Sequence, residues 1–124
     1  MNCASAVCVV TGASSGLGRA VAEELLRRGA RVAALDIVPC PDFNAPMKAF
    51  RSLVADVTDD KSVKAAIDGA AQHFGAIHVC LNCAGTVEGT PMLTADGQAS
   101  SLESFRRVVE INLSGTCPRR KRLL

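Results

Sequence analysis

The 124-residue sequence contains no tyrosine and no tryptophan, and four phenylalanines (Phe43, Phe50, Phe74, Phe105) supply all its six-membered aromatic rings. Without a phenol, chemistry that uses tyrosine as acid or base is closed to the chain as written. Stacking platforms for single-stranded nucleic acid are scarce for the same reason. Also missing is any apolar run approaching the ~20 residues that cross a bilayer. The stretch Ala6 to Val10 is too short for a secretory signal and leads straight into glycines. A hydrophobic share of 48% beside 21% charged residues nevertheless suits a buried core and argues against disorder.

The formal charge of +2 conceals a mildly acidic body. Arg119, Arg120, Lys121 and Arg122 fall near the end, and the remaining ten basic residues face twelve acidic ones, for −2. Residues 117–124 are therefore expected to be a basic tail, disordered or non-native. Four such charges bind nucleic acid only modestly and in a salt-sensitive way, so no nucleic-acid partner is expected. Six cysteines without a secretory leader imply free thiols in a reducing compartment. Cys80-x-x-Cys83 has the spacing of a redox pair or of one of the two ligand pairs of a zinc site. Cys3 and Cys8 supply no matching second pair, so no metal is expected.

Along the chain, strands and helices alternate. Residues 6–11 read as a buried strand, and Leu17, Val21, Ala22, Leu25 and Leu26 follow at helical spacing, with Gly29 as the stop. Residues 31–36 form a second strand. Pro39, Pro41, Asn44 and Pro46 then break the chain into a loop. A third strand spans 49–55, and a one-sided helix carries Val63, Ala66, Ile67, Ala70, Ala71 and Phe74 before Gly75. Ile77 to Leu81 is the fourth strand. A polar stretch over 86–101 precedes a helix from Leu102 to about Ser114. The alternation predicts an α/β fold, a doubly wound parallel sheet of about four strands in the order 3-2-1-4, occupying residues 1–116.

The segment Thr11-Gly12-Ala13-Ser14-Ser15-Gly16-Leu17-Gly18 joins the first strand to the first helix. Glycine lets the backbone approach a pyrophosphate, and the helix N-terminus offers N–H groups and the positive dipole end. Glycines also make ordinary turns. An acid at the end of the next strand, Asp36, eighteen residues after Gly18, tips the reading to a dinucleotide. A carboxylate there accepts from the adenosine ribose and repels a 2′-phosphate. Ile37 follows it and the loop has no Lys or Arg, so NAD is favoured over NADP.

The spacing TGxxxGxG resembles that of the short-chain dehydrogenase/reductase family, and later segments agree in order. Asp56-Val57 resembles the family's adenine-contacting pair. Asn82-Cys83-Ala84-Gly85 resembles its NNAG element, with Cys83 in place of the second Asn. Asn112, within Ile111-Asn112-Leu113-Ser114-Gly115-Thr116, matches the Asn of the catalytic tetrad. The segment 37–46 and the long 86–101 stretch look most like type 2 3-hydroxyacyl-CoA dehydrogenases, which oxidise a secondary alcohol on an acyl-CoA with NAD. The resemblance implies that Gly12, Ser14, Ser15, Gly16, Leu17 and Gly18 hold the pyrophosphate region. It gives Asp36 the ribose, Asp56 and Val57 the adenine, and Asn82, Cys83, Ala84 and Gly85 the central wall. It also implies a homo-oligomeric parent and a cytoplasmic or mitochondrial-matrix location.

The same resemblance names what is not there. The family's chemistry needs a Ser, a Tyr and a Lys beyond the helix that carries Asn112. The sequence has no Tyr, and Lys121 sits in the basic tail. Asn112, which in the family holds a water that supports the Lys, is expected to be an inherited structural position without that catalytic partner. The change of text at Cys117-Pro118 reads as a frameshift, a splice product or an early stop. The expected molecule is thus an inactive NAD-binding half of a dehydrogenase, with an unpaired edge at its fourth strand and exposed apolar surface. The alternative is a non-catalytic NAD-binding or dominant-negative interaction module.

Overall fold

The computed structural model describes residues 3–89 and 91–116; the expected tail at 117–124 lies outside the described residues. Four strands, β1 (Val7–Thr11), β2 (Arg31–Asp36), β3 (Phe50–Val54) and β4 (Val79–Asn82), form one parallel sheet in the order β3-β2-β1-β4. This is the expected doubly wound order. Every residue of β1 is buried, because β1 lies between two strands and is covered on both faces. Such a strand needs a continuous apolar run rather than alternation, and Val7-Cys8-Val9-Val10 supplies it.

The two faces are packed by different helices. α1 (Gly16–Arg27) places Ala22, with Val21, Leu25 and Leu26, against Val10, Val32 and Ala34. On the other face α2 (Asp60–Phe74) packs Ala66, Ala70 and Phe74 against Val7, Val9, Ala33 and Leu35. Small alanines at the contact bring each helix axis close to the sheet. The loop between β2 and β3 closes the α1 side with an edge-to-face contact of Phe43 on Phe50, ring centres 5.1 Å apart. α1 carries an exposed charge clamp in which Arg27 and Arg28 both donate to Glu24. These hydrogen bonds hold the Glu24 carboxyl at about 2, well below its usual range.

Several boundaries differ from the sequence-based expectation. α2 begins at Asp60, ahead of the first apolar position Val63, because the Asp59 carboxylate caps it by accepting from the Lys61 N–H at 3.0 Å. It ends at Gly75 as expected, in the left-handed region at φ 83°. β4 starts at Val79 rather than Ile77. His78 precedes it and pairs with Val7 in both directions: its N–H donates to the Val7 carbonyl, and its Nδ1 accepts the Val7 N–H at 2.9 Å. A side chain thus takes the place of the first ladder carbonyl. α3 (Leu102–Asn112) stops short of Ser114 and passes into a 3-10 turn, Ser114–Thr116.

β4 is an edge strand of the sheet, and α3 buries none of its residues. Leu102, Phe105 and Leu113 are all exposed on or beside α3. Among the described residues no helix is long and apolar enough to cross a membrane.

Candidate functional site

In a parallel sheet with this order, the strand ends converge where the connections diverge to opposite faces. Thr11 is in register with Leu35 on one side and Asn82 on the other, and Asp36 is in register with Val54. The loops leaving these strands carry nearly all the sequence-predicted residues.

The glycine loop is built by close backbone contacts. A Cβ placed on Gly12 would lie 2.7 Å from the Ala84 backbone, and one on Gly18 would lie 2.1 Å from the Gly12 carbonyl oxygen. These two glycines therefore let the loop fold onto itself and onto the segment after β4. Gly16 behaves differently: a Cβ there meets nothing within 4 Å, so it faces open space beside the start of α1. Ser15 is the N-cap residue, but its hydroxyl makes no capping bond. The first-turn amides of α1, which have no acceptor within the helix, are thus left without a capping side chain. Leu17 beside them is exposed.

Asp36 leans back onto this loop. Its Oδ2 accepts from both the amide (3.0 Å) and the hydroxyl (2.7 Å) of Ser14, and its Oδ1 accepts from the Ile37 N–H at 2.7 Å. Asp36 is half-buried and fixed, rather than a solvated strand end. Asp56 is held in another way. Its carboxylate accepts from the Thr58 hydroxyl at 2.7 Å and the Thr58 amide at 2.8 Å, which hold the carboxyl below its ordinary range. Its N–H donates to the Ser62 hydroxyl. Val57 packs against Gly115, where an added Cβ would come within 2.9 Å of its side chain.

After β4, Asn82 is exposed and accepts weakly from the Cys80 thiol at 3.8 Å. Cys80 packs toward the α2 side of the sheet and Cys83 toward the α1 side. Burial pushes both thiols up, with Cys83 adding a smaller push on Cys80. Raised thiols on opposite faces are poorly suited to metal or redox work. The five described cysteines are free, and the described residues contain no cluster of three or more metal-ligating side chains.

Asn112 is tied to the backbone of Thr86: its Oδ1 accepts the Thr86 N–H and its Nδ2 donates to the Thr86 carbonyl, each at 2.8 Å. This two-way amide pair fixes the end of α3 to the segment after Gly85. Gly85 lies close by, and an added Cβ would sit 3.3 Å from the Asn112 Oδ1, a tight contact.

Thr11 is a further organising residue that the sequence reading leaves without a role. Its hydroxyl accepts from the N–H groups of Cys83 (3.2 Å) and Ala84 (3.1 Å), joining the two halves of the site. Its place at the end of a buried strand, as the one hydroxyl in an apolar run, is the signal that marks it. Thr11→Val keeps the shape and removes the acceptor. It is expected to cost about 1–3 kcal/mol, as two amides lose their partner, read as a lowered midpoint in urea unfolding.

A cavity of about 1140 Å³ lies elsewhere, between α2, α3 and the sheet. Val9, Leu35, Ile67, Cys80 and Phe105 line it together with Asp60, Lys64, Arg106 and Glu110, and it reaches the strand ends at Thr11 and Asn82 and the loop after β3 at Val57 and Thr58. None of Gly12–Gly18 and not Asp36 belongs to it. Most of its lining surface is apolar, and it lies beneath a helix with no buried residue.

Comparison with known proteins agrees with this arrangement. The chain is 40% identical over 114 residues to the 3-hydroxyacyl-CoA dehydrogenase type-2 of Bos taurus, covering 89% of this chain and 44% of the relative. The ligand-free aldohexose dehydrogenase of Thermoplasma acidophilum superposes with a TM-score of 0.71 at 34% identity, over 89% of this chain and 39% of that one. A 3-ketoacyl-(acyl-carrier-protein) reductase from Brucella melitensis, solved with NADH, gives a TM-score of 0.73 at 25% identity, over 89% and 45%. The chain thus spans less than half the length of these relatives. The family model for short chain dehydrogenases matches residues 6–122. On its sheet order, its glycine loop and this match, the chain belongs to the short chain dehydrogenase family.

Proposed function

We propose that this chain is the NAD-binding portion of a dehydrogenase that oxidises a secondary alcohol, of the 3-hydroxyacyl-CoA class, and that alone it binds NAD without turning over substrate. The observation that carries the binding half is the fixed Asp36 carboxylate beside a glycine loop whose helix amides lack a capping side chain. The residues fit the cofactor. Gly12, Ser15, Gly16, Leu17 and Gly18 hold its pyrophosphate through backbone donors and the Ser15 hydroxyl, with Gly16 facing open space, and Ser14 in the same loop borders it while donating to Asp36. Asp36 accepts from the adenosine ribose. Asp56 and Val57 border the adenine, and Asn82, Cys83, Ala84 and Gly85 form the central wall. NAD supplies the hydride acceptor when bound.

The catalytic half of the proposal rests on composition. Asn112 is occupied with Thr86 as a structural tie, and the sequence holds no tyrosine to move the proton of an alcohol. That favours a non-catalytic, NAD-binding role for the chain itself, with the parent reaction belonging to a longer, homo-oligomeric relative. Free thiols fit a reducing location, the cytoplasm or the mitochondrial matrix.

Titration calorimetry with NAD and NADP, followed by a turnover assay with a 3-hydroxyacyl-CoA, tests both halves. The expected result is NAD bound more tightly than NADP, and no NADH formed. Tighter binding of NADP would remove the role given to Asp36, and NADH formation would remove the non-catalytic reading.

A further inference from the structure

We propose that Ser14 sets the choice between NAD and NADP by positioning the Asp36 carboxylate, an inference that rests on the NAD reading above. Ser14 and Asp36 are 22 residues apart, on the loop after β1 and at the end of β2, and both are half-buried. An ionised carboxylate offers about four acceptor sites. Three are occupied: the Ser14 amide and hydroxyl both donate to Oδ2, and the Ile37 amide donates to Oδ1. The open site is on Oδ1, where one ribose hydroxyl can donate.

This arrangement makes the carboxylate a fixed negative charge. Held by three donors, it cannot rotate away from a 2′-phosphate, and no Lys or Arg in Thr11–Gly18 or at Ile37 and Val38 offsets the repulsion. Without the Ser14 hydroxyl, the carboxylate keeps its charge but gains rotational freedom. It then pays an ordering cost to meet a ribose hydroxyl and can turn from a phosphate. Discrimination narrows from both sides. The backbone N–H of Ser14 survives any substitution except proline, so the loop keeps one of its two ties.

Calorimetry on the full chain, with NAD and NADP as probes, tests this in wild type, Ser14→Ala, Ser14→Thr, Asp36→Asn and the Ser14→Ala/Asp36→Asn double variant. Ser14→Ala is expected to weaken NAD about tenfold, the loss of one hydrogen bond to a charged group. NADP should change less, so the affinity ratio narrows by a similar factor. Ser14→Thr keeps a hydroxyl and restores the ratio. In the Asp36→Asn background, Ser14→Ala should have no further effect on the ratio. An NAD-selective wild type whose ratio is unchanged by Ser14→Ala overturns the positioning role and leaves the NAD reading intact. So does a Ser14→Ala effect that persists undiminished with Asp36→Asn, which marks a purely structural role. A wild type that binds neither nucleotide, or prefers NADP, overturns the NAD reading and this proposal with it.

Discussion

Gly18→Val is expected to leave no cooperatively folded population, whereas Gly16→Ala leaves the fold standing and removes nucleotide binding. A Cβ at Gly18 would lie 2.1 Å from the Gly12 carbonyl oxygen, 2.6 Å from its carbon and 3.0 Å from the Thr11 carbonyl oxygen. All three are backbone atoms at the exit of β1, the most buried strand, so nothing there can swing aside. Overpacking of flexible cores costs about 1–3 kcal/mol and more where the neighbour is rigid. Against the ~5–15 kcal/mol of a whole domain, the expected loss at Gly18 is decisive. At Gly16 the added methyl meets nothing, and the cost is the left-handed backbone at φ 53°, about 1–2 kcal/mol. The open space that makes this change tolerable is the space assigned to the pyrophosphate. Circular dichroism melts should therefore separate the two variants, and NAD calorimetry should show Gly16→Ala as folded but deficient in binding. A Gly16→Ala chain that binds NAD like wild type would move the pyrophosphate away from this loop.

The parts of this fold that are legible in the sequence are those written in adjacent residues. β1 announces itself as an apolar run, α2 as a one-sided stripe from Val63 to Phe74, and both helix stops as glycines at 29 and 75. The sheet order follows from the alternation of these elements and the right-handed rule for their crossovers. The parts that are not legible depend on a distant partner or on polar residues that leave no period. α2 begins earlier than its stripe because Asp59 caps a first turn that has no apolar residue to mark it. β4 begins later than its apolar run because the His78 ring takes over a ladder bond.

The site divides in the same way. The glycine loop, Asp36 and the segment after β4 are recognisable as short motifs. Their mutual ties are not, because Ser14 meets Asp36 across 22 residues, Thr11 meets Cys83 across 72, and Asn112 meets Thr86 across 26. Each tie uses a hydroxyl, amide or carboxylate whose sequence neighbours predict only a turn. Motif spacing shows that these loops meet at one end of the sheet, and only the fold shows which atom holds which.

Phe74→Ala is expected to remove a large share of the chain's stability, while Phe105→Ala at a ring of equal size changes little. Phe74 sits at the end of α2 in the cluster formed by Val7, Val9, Leu35, Ala66 and Ala70, and it is 7% exposed. Its ring meets that of His73 edge-on at 4.6 Å, and its carbonyl accepts from the Arg31 guanidinium at 3.2 Å, bringing the helix end to β2. Removing a buried phenylalanine costs about 3–5 kcal/mol through lost burial and the cavity left behind. The surrounding alanines have no longer side chains with which to fill the space. Phe105 is 66% exposed on α3, a helix with no buried residue, and its truncation should fall within about 0.5 kcal/mol. Urea unfolding of both variants measures the contrast. A large loss at Phe105 would mean that α3 closes onto the apolar cavity beneath it and shares the core. A loss confined to Phe74 places the stability of the chain in the sheet with α1 and α2, which is also the frame that holds the glycine loop and Asp36 together.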